Sequence, residues 1–387
     1  MNRGAFVILF LIATILLSCR KDDIIEPYVE PVPTDTTEVI DSATLYLPTL
    51  PSVYHDYASI TYPQHFDDDQ LLNLINTLNG SNQITNEGAT LGRVLFYDRN
   101  LSANNTVSCA TCHHQDKGFS DGLAFSLGFD GGFTGRNSMA IVNTNYQRRF
   151  FWDERALSLE QQVLMPIQDP IEMGMDLVDL EEKLGQLTYY APLFEAAFGD
   201  SVITSNRIAR ALSQFLQSIR SFKSKYDQGF NNNFADFTAE ETMGMDMYFN
   251  GSFNCNNCHT TQNFGGVTNE INGLDLTYTD PGKGGVNGNP EDHGNFKTVT
   301  LRNIELTAPY MHDGRFQTLE EVIDFYSTDI QAHPFLDDRL AIDGTTGGPP
   351  KQFNFTPAEK AALIAFLKTL TDHELVNNPI YSNPFPE

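Results

Sequence analysis

The chain has 387 residues, with 24 Lys and Arg against 50 Asp and Glu, and a formal charge of -26 at pH 7. So acidic a protein repels a phosphate backbone, which excludes nucleic acid as a partner and leaves a basic protein partner or plain solubility as the use of the charge. Five Cys and nine His are few enough for their placement to be informative, and the length suffices for two cores. The chain opens with a basic residue, Arg3, and a short apolar run ending in Leu16, Leu17, Ser18 and Cys19. Residues 1–18 read as a signal peptide, too short to span a bilayer comfortably, and Cys19 stands where a bacterial lipobox places its lipidated residue. Residues 19–66, rich in Pro, Thr, Asp and Glu, are expected to be a lipidated tether, extended over at least its first half with a reach on the order of 40 Å.

From Asp67 the pattern turns helical. DDDQLLNLINTLN places Leu71, Leu74, Ile75 and Leu78 on one face, and TSNRIARALSQFLQSIRSF does the same with Ile208, Leu212, Phe215 and Ile219. Thr238 with Glu241, Thr318 with Glu321, and Thr356 with Glu359 have capping-box spacing, the last with Pro357 at the first helical position. Strand signals are sparse, and the Gly- and Asn-rich stretch from Asn269 to Gly294 reads as a long surface loop. The fold class is mainly α.

The stretch VSCATCHHQDKGFSD holds Cys109, Cys112 and His113 in the spacing C-x-x-C-H, and a second copy follows at Cys255, Cys258 and His259. This is a c-type haem attachment pattern: two thiols reach the two vinyl groups of one porphyrin, and the next residue supplies the proximal iron ligand. A zinc site or a redox dithiol is the alternative, but neither needs a His directly after each pair. Five Cys divide into one for a lipid and two for each haem, with none left for a disulfide. Two haem sites, each with its own helices, predict two packed cytochrome c-like domains. We place them at residues 67–232 and 233–387.

Several segments then match one family in order: SCATCHHQDKGFSDG, RNSMAIVN from Arg136, FFWDERALSLEQQVLMPIQDPIEMG from Phe150, and FKTVTLRNIELTAPYMHDGRFQTLEEVIDFY from Phe296. From roughly Ala89 to Leu370 the sequence resembles the bacterial dihaem cytochrome c peroxidase family, whose MauG-like branch it shares details with. The resemblance implies an N-terminal haem that reacts with hydrogen peroxide and a C-terminal haem that receives electrons. It implies roles for Gln162 and Glu172 over the first haem, Trp152 as a relay between the haems, and Asn137, Thr307 and Pro309 as oxygen ligands of a calcium ion. A carboxylate in an apolar pocket suits the proton transfer that O–O cleavage requires, and hard oxygens suit calcium.

Departures from the family pattern carry the finer expectations. The His that caps the resting peroxidatic iron in reductively activated members is replaced by Phe129, and His114 is placed on the solvent side of His113. The Met that ligates the second iron in those members is replaced by Tyr326, as in MauG, with Met311, beside His312, as the rival ligand. Glu154 stands where Gly is usual and Met139 where Pro is usual. The expected activity is a lipid-anchored peroxidase of the periplasm or cell envelope, reducing hydrogen peroxide to water with electrons from a small cytochrome or copper protein. The alternative is a MauG-like oxidase that turns high-valent haem iron on a protein or organic substrate. A plain electron carrier is the third reading, and a homodimer is compatible with all three.

Overall fold

The computed structural model describes residues 46–386 except 67–79, 81, 251, 252, 254, 261 and 267. The signal peptide, Cys19, the first part of the tether and the helix expected from Asp67 lie outside the described residues. From Tyr46 the chain is already packed on the body: Tyr46 stacks on Phe385 with ring centroids 4.5 Å apart, and Thr49 N donates to Pro384 O at 2.7 Å. Tyr57 and Phe66 are buried. The tether expected to reach residue 66 is therefore shortened, because residues 46–66 carry aromatic side chains that gain by burial whereas the stretch before them is mostly polar. The arm ends in a buried ionic knot. His65 Nε2 lies 2.9 Å from Asp227 Oδ1, and the fully buried Arg302 holds the same carboxylate through two bonds of 2.9 Å.

Two large hydrophobic cores and a small third cluster around Leu274, Phe325, Ile330 and Leu336 organise the rest. The first is built on α1 (Asn86–Tyr97), α2 (Leu159–Gln168) and α3 (Ser205–Ser218), the last burying Ile208, Leu212 and Phe215 as its periodicity predicts. The second is built on α4 (Ala239–Phe249), α5 (Leu319–Asp324) and α6 (Pro357–Lys368). Capping boxes at Thr238, Thr318 and Thr356 start these three helices as expected, with each hydroxyl accepting from the backbone N–H of the Glu three residues on. Strand among the described residues is limited to β1 (Asn269–Glu270) and β2 (Phe296–Lys297), paired antiparallel. The tail assigned by sequence to the second half returns to the first core, where Leu375, Tyr381 and Phe385 are buried.

The cores repeat one construction. In each, the first and last helices cross at a glycine: a Cβ on Gly92 would lie 2.0 Å from Ala211 O, and one on Gly244 would lie 1.9 Å from Ala362 O. Only a missing side chain permits so close an approach of two backbones. The bridge Phe150↔Ala156 leads to the cap Ser158, and the bridge Tyr310↔Phe316 leads to the cap Thr318. Within the two bridged turns Phe151 and Met311 have left-handed backbones at φ 69 and 71, as do Glu154 at 58 and Gly314 at 65. Glu154 thus keeps the conformation expected of the family's Gly, held by Asn269 Nδ2 and, at 3.7 Å, by Lys283. The halves meet reciprocally through these turns. Asn137 N donates to His312 O at 2.8 Å, and Lys297 N donates to Trp152 O at 2.8 Å.

Candidate haem sites

Cys109–Cys112 form one helical turn, begun by Ser108, whose N–H donates to Thr111 Oγ1 at 3.0 Å. The backbone then doubles back through the His114↔Ser120 bridge. This turn carries Phe119 at φ 61 and aims its carbonyl at His113 Nδ1, 2.8 Å away. The second site repeats the device: Phe264, at φ 52, and Val299 present carbonyls to His259 Nδ1 at 3.1 and 3.0 Å. A carbonyl can only accept, so Nδ1 carries the proton in both rings and Nε2 is left as the ligand atom. Burial lowers the pKa of both imidazoles, that of His259 to about 4, so both are neutral at pH 7. A sequence reading limited to C-x-x-C-H misses Phe119 and Phe264. Their one visible signal is an aromatic beside a glycine shortly after each His.

The four thiols are free rather than paired. Burial pushes Cys109 and Cys258 up to about 12 and Cys112 and Cys255 up to about 11, far from the activated range of a redox dithiol. Among the described residues no three His, Cys, Asp or Glu side chains converge as a metal site. Two free thiols a helical turn apart beside a neutral, oriented imidazole fit covalent haem better than zinc.

Near the first pair stands Glu172, close enough to raise the pKa of both Cys109 and Cys112. Its own carboxyl is pushed up to about 7, chiefly by burial and then by Asp169, against an opposing pull from Arg155. Arg155 is held over the Phe151 ring at 3.6 Å and to Asp153 at 3.1 Å. Phe129 N donates to Glu172 O at 3.1 Å, and a Cβ on Gly174 would lie 2.4 Å from the Phe129 ring. The Phe129 ring is thus wedged against the segment that carries Glu172. Gln162 is half-buried on α2, the helix just before that segment.

A cavity of about 280 Å³ adjoins the second pair and is lined by Cys255, Cys258 and His259. Tyr326 and Met311 share its wall, as do Trp152, Asn137, Thr307 and Pro309, while Glu172 and Gln162 lie outside it. Tyr326 sits in a widened π turn, Phe325–Asp329, that continues α5. Its hydroxyl lies 3.4 Å from Asn272 Nδ2. Trp152 Nε1 donates to Asn137 O at 2.9 Å, and its ring meets His312 edge to face at 6.5 Å. Asn137 Nδ2 donates to Leu123 O at 2.8 Å. The stretch from Asn269 is more than a surface loop: Glu270, Asn272 and Leu274 line the cavity, and Lys283–Asn287 forms a short helix.

The mainly helical fold with two C-x-x-C-H sites, each with a backbone-anchored His, defines a c-type dihaem protein. A family profile described as "Di-haem cytochrome c peroxidase" matches residues 86–234. The "Methylamine utilization protein MauG" of Methylophilus methylotrophus is 31% identical over 294 residues, covering 75% of this chain and 84% of the relative. The "Cytochrome c551 peroxidase" of Nitrosomonas europaea is 31% identical over 287 residues, covering 73% and 79%. Among solved structures, a MauG-like protein associated with microbial copper homeostasis aligns with a TM-score of 0.70 at 35% identity, over 78% of this chain and 94% of that one. The chain belongs to the dihaem cytochrome c peroxidase family, which includes MauG, and the family implies two c-type haems.

Proposed function

We propose that the protein is a peroxide-reducing dihaem enzyme of the periplasm or cell envelope, held to a membrane by a lipid on Cys19 and supplied with electrons by a small cytochrome or copper protein. The observation that carries this reading is Glu172, a mostly buried carboxyl near the first thiol pair with a pKa lifted to about 7. Bound haem supplies the iron that receives peroxide and the electrons that reduce it. Glu172 accepts a proton from the incoming peroxide on its carboxylate and returns it to the departing oxygen, which leaves as water. A carboxyl half-protonated near neutrality can do both within one turnover. Gln162, on the neighbouring helix, orients the peroxide, and Phe129 offers no atom that competes with it. His113 and His259 would hold the irons through Nε2, since Nδ1 of each faces a backbone carbonyl. Trp152, carried by the first half but lining the second cavity, is the relay between the sites.

A second reading rests on Tyr326 in the wall of the second cavity. Ligation by an anionic, hard phenolate favours the more oxidised states of the iron, whereas Met311 would favour the reduced one. Tyr326 ligation tilts the chemistry towards oxidation of a protein or organic substrate, as in the MauG-like branch. A calcium ion held by Asn137 Oδ1, Thr307 and Pro309 would lock the halves where they meet. Among the described residues no helix is long and apolar enough to cross a membrane. Stopped-flow consumption of peroxide with a reduced cytochrome, with and without prior reduction of the enzyme, tests the proposal. Turnover without prior reduction is expected, and no turnover in either condition leaves only an electron carrier.

A further inference from the structure

The wall of the second cavity contains a titratable cluster that the peroxide chemistry does not use. Glu270, on β1, lines the cavity together with Arg339 and Lys351. Its carboxyl shares one nitrogen, Arg339 Nη2, with that of Asp337, and both are well buried, with side chains 15% and 10% exposed. Asp337 is fixed in place because its N–H donates to Ile271 O at 3.0 Å, the residue after Glu270. Arg339 spans the pair. It grips Asp337 through two bonds of 2.7 Å and ion-pairs with Glu270. Its remaining arm, Nη1, donates to Asn257 O at 2.8 Å, inside the second C-x-x-C turn.

Two buried carboxyls crowded onto one guanidinium nitrogen repel each other when both are ionised, so the pair retains one proton to a higher pH than an isolated carboxyl would. With that proton the cluster of two acids and one guanidinium is neutral. Without it the cluster carries one negative charge, directly beside the thiol turn that attaches the second haem. The other polar and charged neighbours are bonded elsewhere or are neutral: Thr268 Oγ1 donates to Glu270, the Lys351 ammonium donates to Arg339 O at 2.8 Å rather than to either carboxyl, and Lys283 and Glu154 flank the neighbouring Asn269 as a pair of their own. Burial and the Asp337 carboxylate both push the Glu270 pKa up, which places its titration closer to neutrality than that of an ordinary carboxyl.

We propose that Glu270 and Asp337 form a single-proton reservoir for the second haem, binding one proton for each electron delivered to that haem and releasing it when the electron leaves. The balance is closed: the donor protein supplies the electron, solvent supplies the proton, and the haem and the cluster together keep the same net charge in both states. In the oxidised state the extra positive charge beside the cluster favours the ionised pair, and in the reduced state the protonated pair is favoured. The proposal rests on the reading of Cys255, Cys258 and His259 as a haem site.

Spectroelectrochemical titration of the second haem from pH 5.5 to 9 tests it, on the holoenzyme. In the wild-type protein the midpoint potential should fall with rising pH, approaching a tenfold change in the reduction equilibrium per pH unit, about 59 mV for one electron. Glu270→Gln should flatten this dependence, Asp337→Asn should displace or flatten it, and Glu270→Asp should keep it. Haem is counted in each sample by the pyridine haemochrome assay. A wild-type slope in both Glu270→Gln and Asp337→Asn samples that carry two haems per chain overturns the proposal. One haem per wild-type chain overturns the haem reading beneath it, and the two failures are told apart by the count.

Discussion

Replacing Glu172 with Gln removes one ionisable proton carrier while keeping nearly the same volume and shape. Two effects of opposite sign follow. Burial lifts this carboxyl from 4.5 to about 7, and one pKa unit corresponds to about 1.36 kcal/mol, so ionisation of Glu172 costs the fold on the order of 3 kcal/mol. The unfolded chain loses this proton near 4.5 and the folded one near 7, so stability falls as pH rises between those values and stays low above them. Glu172→Gln lacks that loss, and at pH 8 its unfolding midpoint should lie above that of the wild-type protein. Its reaction with peroxide should be slower by about 10²-fold or more, the usual contribution of a positioned acid or base. In stopped flow, the wild-type rate should rise through pH 7 as the carboxylate forms, and the variant should show no such limb. Two haems per chain in both proteins must be verified first. An unchanged rate, or an unchanged limb near pH 7, removes Glu172 from the mechanism. A variant that is slower but also less stable at pH 8 refutes the account of its pKa.

The mature protein should show two haem additions by mass spectrometry that survive acid-acetone extraction, and a single addition refutes the reading of one C-x-x-C-H site. Since Phe129 carries no ligand atom, the resting first haem should show a high-spin ferric component, and purely low-spin spectra at both sites contradict this. Tyr326→Phe should change the spectrum and potential of the second haem while Met311→Leu leaves them in place; the reverse result makes Met311 the ligand. Asp227, whose pKa the Arg302 guanidinium and His65 hold well below the usual carboxylate range against its burial, contributes stability that is present above about pH 4 and lost as pH falls below it. Asp227→Asn, which strands the fully buried Arg302, should cost about 3 to 5 kcal/mol in denaturant titrations at pH 7, and a cost below about 1 kcal/mol means that the knot does not anchor the arm.

What could be read from the sequence is what local chemistry specifies. A capping box needs only two residues three apart, and Thr238, Thr318 and Thr356 each start a helix. C-x-x-C-H is equally local, and the amphipathic stripe of α3 follows from its own spacing. The features that escaped depend on partners distant in the chain. Nothing near Glu270 or Asn272 marks that stretch as cavity wall, since it is placed there by packing against segments such as that of Asp337. Tyr46 to Phe66 reads as more tether because its aromatics find their partners far along the chain, Tyr46 at Phe385 and Phe66 at Tyr146 and Phe222. The π turn at Tyr326 lies within a helical pattern and leaves no compositional trace. The constructional repeat rests on glycines, left-handed turns and bridges at matching places, with little identity between the side chains.

The return of the C-terminal tail to the first core bears on how the protein is made. Leu375, Tyr381 and Phe385 complete a core whose other residues begin near Tyr57. A chain that emerges from its N-terminus cannot close this core until its last residues arrive, and the cavity of the second site likewise waits for Trp152 and Asn137 to meet the later half. The first core is therefore completed only when the end of the chain has been made. Both C-x-x-C-H segments, Cys109 to His113 and Cys255 to His259, are thus synthesised before the residues that complete the first core.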